Sequence, residues 1–276
     1  MSTPTRTVLT IAGSDSGGGA GIQADLKAFA RCGVHGASAI TAITAQNTVA
    51  VSAVHAVPPE MVLAQVRAVL SDIGVDAVKV GMLGTAEVTL AVAAALEELP
   101  AGTPVVVDPV MVAESGASLL DDGARRALVE EILPRASVLT PNLLEARVLA
   151  GREREATGDE DAEAESLARA VLALGPRAVV LTGGHRTRAV DLLVEEDGDG
   201  APVEIPGERH PDGAAHGSGC THSSVLAAQL ALGHTPLQSS RTARRLAAEA
   251  VAQGLRELGA GAGPVDVIGL ERMRAY

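Results

Sequence analysis

Three short runs constrain this chain most: Ala77-Val78-Lys79-Val80, Val105-Val106-Val107-Asp108 and Ala178-Val179-Val180-Leu181. Each has strand length and is almost continuously apolar, as suits a strand covered on both faces of a parallel sheet. Helical patterns separate them at Ala86–Leu99, Ala124–Leu133, Leu143–Leu149 and Glu160–Leu174. Earlier in the chain, Val8–Gly13 and Ala37–Thr44 read as strands, and Ile22–Arg31 as a helix. Val49–Val57 reads as a short hairpin or flap. Pro58-Pro59 opens a helix to Ile73, with proline in the first turn, where a missing N–H costs nothing. Glu195–Pro206 reads as a hairpin turning at Asp-Gly-Asp-Gly. The alternation predicts an α/β fold: a central, mostly parallel β-sheet flanked by helices on both faces, with a small β flap. No internal repeat or low-complexity linker interrupts it, so residues 1–276 are expected to form a single domain. Gly151 to Glu165, the most polar stretch, reads as a solvated loop leading into a helix.

Composition narrows the function. Hydrophobic residues make up 47% and charged residues 20% of the 276, which excludes a disordered chain. The net charge of −12 argues against a nucleic-acid partner. Two cysteines, Cys32 and Cys220, without a C-x-x-C spacing, fit neither a disulfide scaffold nor a zinc ribbon and suit a reducing cytoplasm. Met1–Thr7 has no apolar run of the signal-peptide kind, and no apolar run spans a membrane. With one Phe, one Tyr and no Trp, a heterocyclic ligand must be held by aliphatic walls, Met and hydrogen bonds.

Four segments carry candidate chemistry. Gly13-Ser14-Asp15-Ser16-Gly17-Gly18-Gly19-Ala20-Gly21 follows a strand and opens a helix, where free amides favour negative charge. Gly19-x-Gly21-x-x-Ala24 matches the relaxed dinucleotide fingerprint, but the next strand ends in Thr44-Ala45-Gln46-Asn47 without the carboxylate that a ribose requires. A tight βα turn with no ligand is an equal reading. His216-Gly217-Ser218-Gly219-Cys220 precedes an apolar helix, so the amides of Gly217 to Cys220 could converge into an anion nest. A cysteine at a helix N-terminus is expected to have a depressed pKa. In Thr140-Pro141-Asn142-Leu143-Leu144-Glu145, an amide and a carboxylate three residues apart suit magnesium, or form a capping box, or both. Asp108 closes a buried strand, where α/β sheets bind ligands, and its burial implies a cation or amide partner. Thr182-Gly183-Gly184-His185 ends another strand and could host a nucleotide phosphate. His216 and His222 match no metal spacing and read as structural or surface residues.

Together the segments resemble the hydroxymethylpyrimidine/phosphomethylpyrimidine kinases of thiamine biosynthesis, members of the ribokinase-like superfamily. The resemblance rests on residues 10–27, Ile43–Thr48, Val80-Gly81-Met82-Leu83-Gly84, Asp108-Pro109-Val110-Met111-Val112, Leu139–Ala146, Gly183-Gly184-His185 and His216–Thr221, in the family's order. Gly261-x-Gly263-Pro264 fits as well. It implies a ribokinase-like fold, often a homodimer, that moves phosphate from Mg²⁺-bound ATP onto a pyrimidine alcohol and then onto the resulting phosphate ester. It further implies that Gln46 reads the aminopyrimidine edge and that Gly13, Ala20, Asp25, Thr44, Met82 and Val110 line the same pocket. Asp108, Asn142 and Glu145, with Thr182 and Gly184, would face ATP, with Asp108 and Glu145 on magnesium. Gly217, Ser218 and Gly219 would form the anion hole, with Cys220 at the catalytic position. Two departures stand out: Gly213-Ala214-Ala215 where the family has Lys-Asn-Thr, and Glu114 where it often has Lys. The rival readings are a pyridoxal kinase of the same fold, a nicotinamide-dependent oxidoreductase, and a non-catalytic pyrimidine-binding domain.

Overall fold

A computed structural model describes residues 4–112, 119–152, 160–184, 186–197, 201–211 and 213–273. Glu114, His185, the Gly198-Asp199-Gly200 part of the expected turn and 153–159 of the polar stretch lie outside the described residues. The chain runs β1 (Thr7–Ser14), α1 (Gly21–Arg31), β2 (His35–Gln46), β3 (Val51–Ala56), α2 (Pro59–Asp72), β4 (Ala77–Val80) and α3 (Ala86–Glu97). It continues with β5 (Val105–Val107), α4 (Asp122–Ala127), β6 (Val138–Leu139), α5 (Leu143–Leu149), α6 (Glu160–Leu172) and β7 (Ala178–Leu181). It ends with β8 (Val190–Glu195), β9 (Val203–Pro206), α7 (Ser218–Ala231), α8 (Pro236–Ala252) and α9 (Leu270–Met273).

Among the described residues these strands form one sheet in the order β3-β2-β1-β4-β5-β6-β7-β8-β9. From β2 to β7 neighbouring strands are parallel. Antiparallel pairing is confined to the two ends, at β2–β3 and at β7–β8–β9. The expected sheet and flap are therefore present. The C-terminal hairpin begins earlier than expected: Val190–Glu195 is already a buried strand along β7, and Glu195 is its last residue. Where the polar stretch and the expected Glu160–Leu174 helix overlap, Glu160–Glu165 is the first part of α6. The expected helix at Ala124–Leu133 is α4 followed by a wider π turn over Leu128–Ile132, where the Leu133 amide reaches Leu128 O, and a 3₁₀ turn at Leu133–Arg135. Pro134 lacks an N–H, so the α pattern cannot continue through it.

Alternation along the strands separates two apolar layers. Leu9 and Ile11 of β1 and Val78 and Val80 of β4 pack with Val62, Val66, Val88, Val92 and Leu167 on one face. Val8 and Ala77 pack with Ala28, Phe29, Val225, Leu226 and Ala243, from α1, α7 and α8, on the other. Lys79 shares the parity of Ala77, so it points towards α1 and α7. The chain leaves β1 for β2 on one side and later returns to place β4 on the other. That reversal opens a crevice beyond the carboxyl ends of the strands, where α/β sheets take ligands.

Phe29 is fully buried, and a Cβ on Gly36 would press against its ring. It is the only phenylalanine in a core otherwise built from small aliphatic residues. Phe29→Ala is expected to lower unfolding free energy by roughly 3–5 kcal/mol, read as a lower urea midpoint at unchanged slope.

Candidate active site

The carboxyl ends of β1, β4, β5, β6 and β7 and the start of α7 enclose a cavity of about 460 Å³. Gly13, Ala20, Thr44, Gln46, Met82 and Val110 line one region of its wall. Asp108, Asn142, Glu145, Thr182 and Gly184 line it too, as do Gly217, Ser218, Gly219 and Cys220. The sulfur-bearing residue and Gln46 therefore share one cleft, although 174 residues separate them in the chain (220 minus 46).

Asp25 is the exception among the expected pocket residues. It is fully buried behind the cavity wall, where its carboxylate accepts from Thr10 Oγ1 at 2.6 Å and Ser224 Oγ at 2.7 Å. Lys79 Nζ lies 3.0 and 3.1 Å from its two oxygens, with both side chains at 0% exposure. A charge this deep persists only when its partners saturate it, and four donor contacts do so here. Lys79 is also among the residues that line the cavity. Burial opposes its charge, but Asp25, with Cys220 and Asp108 nearby, holds its pKa above the ordinary lysine value. Sequence reasoning counted Lys79 as strand only. The signal was present: a lysine inside a run buried on both faces must have a carboxylate partner.

The start of α7 differs in two respects from the expected nest. Gly217, the N-cap, has φ +85°, and a Cβ there would collide with the Gly19 carbonyl oxygen, so glycine is required. The Ser218 amide is already committed to Ala215 O at 3.0 Å. The amides left free are those of Gly217, Gly219 and Cys220, which have no acceptor among the described residues. Nor does the position acidify Cys220. Burial, with the Asp25 and Asp108 charges, outweighs Lys79 and the Gly21 amide and pushes the thiol up to about 12. The expected depressed pKa is wrong because a helix terminus contributes only a fraction of a charge, whereas burial next to two carboxylates acts on the whole thiolate.

Asp108 receives Ser223 Oγ at 2.9 Å. Burial raises its pKa against the pull of Lys79. Asn142 and Glu145 do form a capping box: Asn142 Oδ1 accepts from the Glu145 amide at 2.9 Å, and Glu145 Oε2 accepts from the Asn142 amide at 2.9 Å. Burial and the Asp108 charge push Glu145 up to about 8, opposed by the Asn142 and Met111 amides. Capping and cavity lining therefore hold together.

His216 and His222 both line the cavity and are buried and paired, not surface residues. His216 Nε2 donates to Asp15 Oδ2 at 3.0 Å, and His222 Nε2 to Asp191 Oδ2 at 3.0 Å. Asp191 Oδ1 accepts the Gly183 amide at 2.8 Å, with Arg244 Nε 3.7 Å away. Burial works against the Asp191 charge, but His222 and Arg244 outweigh it and hold its pKa low. Asp191 and Arg244 both line the cavity and were not singled out from the sequence. Ala214 is buried and Ala215 lines the cavity, so no side-chain cation rises from Gly213-Ala214-Ala215.

Two outcomes are expected here. Lys79→Met strands Asp25 without its cation and lowers unfolding free energy by about 3–5 kcal/mol, whereas Lys79→Met with Asp25→Asn recovers part of that loss in urea titration. Alkylation of Cys220 by iodoacetamide, followed by mass spectrometry in a Cys32→Ala background, should be slow at neutral pH and keep rising through pH 9 without a plateau.

The family described as phosphomethylpyrimidine kinase matches residues 15–266. The hydroxymethylpyrimidine/phosphomethylpyrimidine kinase of Rhizobium meliloti is 48% identical over 264 residues, covering 95% of this chain and 96% of that protein. The phosphomethylpyrimidine kinase structure from Clostridium difficile superposes with a TM-score of 0.74 at 37% identity, over 87% of this chain and 96% of that one. The pyridoxal kinase from Staphylococcus aureus, in complex with AMP-PCP and pyridoxal, gives 0.86 at 32% identity over 98% and 96%. On this sequence and fold likeness, the chain belongs to the phosphomethylpyrimidine kinase family.

Proposed function

We propose that this protein is a kinase that transfers the γ-phosphoryl group of ATP to 4-amino-5-hydroxymethyl-2-methylpyrimidine and then to the resulting monophosphate, giving the diphosphate used in thiamine biosynthesis. The observation that carries the reading, beside family membership, is the single cleft shared by Gln46, the Gly217–Cys220 amides and the Asp108 and Glu145 carboxylates. In each transfer the bond from the γ-phosphorus to the β–γ bridging oxygen breaks, a new bond forms from that phosphorus to the acceptor oxygen, ADP leaves with the bridging oxygen, and in the first transfer the alcohol proton passes to solvent water. Such chemistry needs positioning and charge stabilisation more than covalent catalysis.

Gln46 offers an amide donor and acceptor to a ring nitrogen and the exocyclic amine. Gly13, Ala20, Thr44, Met82 and Val110 close the same end with small or flexible apolar surface. A Cβ on Gly13 would run into the Met82 side chain, so this wall is close-packed. The amides of Gly217, Gly219 and Cys220 face the moving phosphoryl group, while Thr182 and Gly184 take the nucleotide side. Asp108 and Glu145 suit Mg²⁺: both are oxygen donors, and both carry burial-raised pKa values that a cation would relieve. Two carboxylates with phosphate and water oxygens meet the ordinary demand of that ion. Bound there, Mg²⁺ would neutralise charge on the ATP oxygens.

Cys220 is a neutral thiol at physiological pH, so it does not act as a thiolate base. Its value lies in carrying no charge. The second acceptor is already a phosphate anion, which a fixed carboxylate at this position would repel. The reading as a homodimer is carried by the family resemblance. No described helix is long and apolar enough to cross a membrane. We read residues 1–276 as one kinase domain acting in the cytoplasm. Pyridoxal phosphorylation is the second reading, favoured by the likeness to the Staphylococcus aureus pyridoxal kinase.

Coupled ADP release with the pyrimidine alcohol, its monophosphate and pyridoxal tests this directly. Higher kcat/KM on the two pyrimidines is expected, and turnover of pyridoxal alone would overturn the main reading. Gln46→Ala should raise KM for the alcohol about tenfold, the size of one or two lost hydrogen bonds, with KM for ATP unchanged. Cys220→Asp should slow the second transfer about tenfold more than the first. Equal effects on both would remove charge repulsion as the reason for cysteine.

A further inference from the structure

Asp15 makes more bonds than a turn residue needs. Its Oδ1 accepts the Gly17 amide at 2.8 Å, and its Oδ2 accepts the Gly19 and Ala20 amides at 3.0 and 2.8 Å. The same Oδ2 lies 3.0 Å from His216 Nε2. The carboxylate therefore shapes the glycine-rich turn on one side and grips the residue before the α7 N-cap on the other. Burial acts to raise its pKa, but His216 and the Ala20 and Gly17 amides outweigh it and keep the group ionised.

Contacts around this pair leave little slack. A Cβ on Gly19 would collide with the His216 ring and crowd Pro264, and one on Gly217 would collide with Gly19 O. The backbone of His216 is fixed as well: its N–H donates to Gly263 O at 3.3 Å, and its C=O accepts from Val265 N at 3.1 Å. At the far end of the turn, Ser16 Oγ donates to Gln46 O at 2.6 Å and accepts from Gln46 N at 2.8 Å. One continuous set of contacts thus runs from Gln46 through Ser16, the turn, Asp15 and His216 to Gly217.

We propose that Asp15 and His216 are a positioning pair that sets the pyrimidine-reading strand end against the phosphoryl-facing start of α7. Neither residue need touch a reacting atom. The pair fixes the separation between the acceptor end of the cleft and the amides of Gly217, Gly219 and Cys220. Loss of the pair lets the two halves drift, and misplacement of this kind costs transfer rate while leaving each ligand's own contacts in place. This inference rests on the kinase reading for its kinetic consequence, but not for its structural one.

Amide hydrogen exchange on the full-length protein gives the structural arm. With His216→Ala, exchange is expected to rise at Gly17, Gly19 and Ala20, although none of these amides bonds to His216. With Asp15→Asn, it should rise at Ser218 and Thr221, whose amides donate to Ala215 O and Gly217 O. Unchanged exchange in β4 and β5 shows that each variant has folded. In the kinetic arm, His216→Ala lowers kcat on the pyrimidine alcohol about tenfold with KM for ATP unchanged, and His216→Gln, which keeps an N–H donor, recovers most of the loss. Changes confined to each mutated segment, or a Gln variant as poor as Ala, would overturn the pair as a positioning device. A parent protein without pyrimidine turnover would sink the kinase reading alone, and the exchange arm would still decide the pair.

Discussion

The site depends on one ion pair sealed beneath it. Lys79 and Asp25 meet with no solvent access, joining β4 to α1, while Ser224 and Thr10 bring in α7 and β1. A separated charge at that depth costs several kcal/mol, so the pair strongly favours one relative position of these four elements. Three of them end at the cleft. The glycine-rich turn leaves β1, the Met82 segment leaves β4, and the unpaired amides of Gly217, Gly219 and Cys220 begin α7. The pair also explains the electrostatic character of the cavity wall. Lys79 is its resident cation, and Cys220 and Asp108 both lie within its field.

On the proposed reading the cleft above that pair offers two kinds of surface. Met82 and Val110 line it with the amide side chain of Gln46, and so do Gly217, Gly219 and Cys220 with the Asp108 and Glu145 carboxylates. Backbone donors carry no side-chain freedom to lose, which suits a group that moves across the site. The neutral thiol at Cys220 fits the same logic, because added negative charge would work against those donors.

Much of this was legible in the residues. Valine-rich runs at strand length predicted β4, β5 and β7 with near-correct limits, because a strand covered on both faces has no polar alternation to blur it. Pro58-Pro59 marked the start of α2, and Asn142 with Glu145 spelled out a capping box three residues apart. What local pattern could not supply was partnership across the chain. His216 meets Asp15 over a separation of 201 residues, and Lys79 meets Asp25 over 54. Asp25 was placed in the pocket because its segment belongs there, yet helix periodicity turns that one side chain inward. The thiol of Cys220 was misjudged for the same reason: its place at a helix start is local, while the burial that governs it is a property of the whole fold. The π turn at Leu128–Ile132 escaped because its residues have ordinary helical propensity.

The capping box of α5 has a consequence for ion capture. Glu145 is held in place by the Asn142 and Met111 amides before any cation arrives. A free glutamate would surrender on the order of 1 kcal/mol of rotamer entropy on becoming a ligand, but this one has already been ordered by the helix it begins. On the proposed reading, the same hydrogen bonds that stop the helix from fraying would make the carboxylate a preorganised ligand.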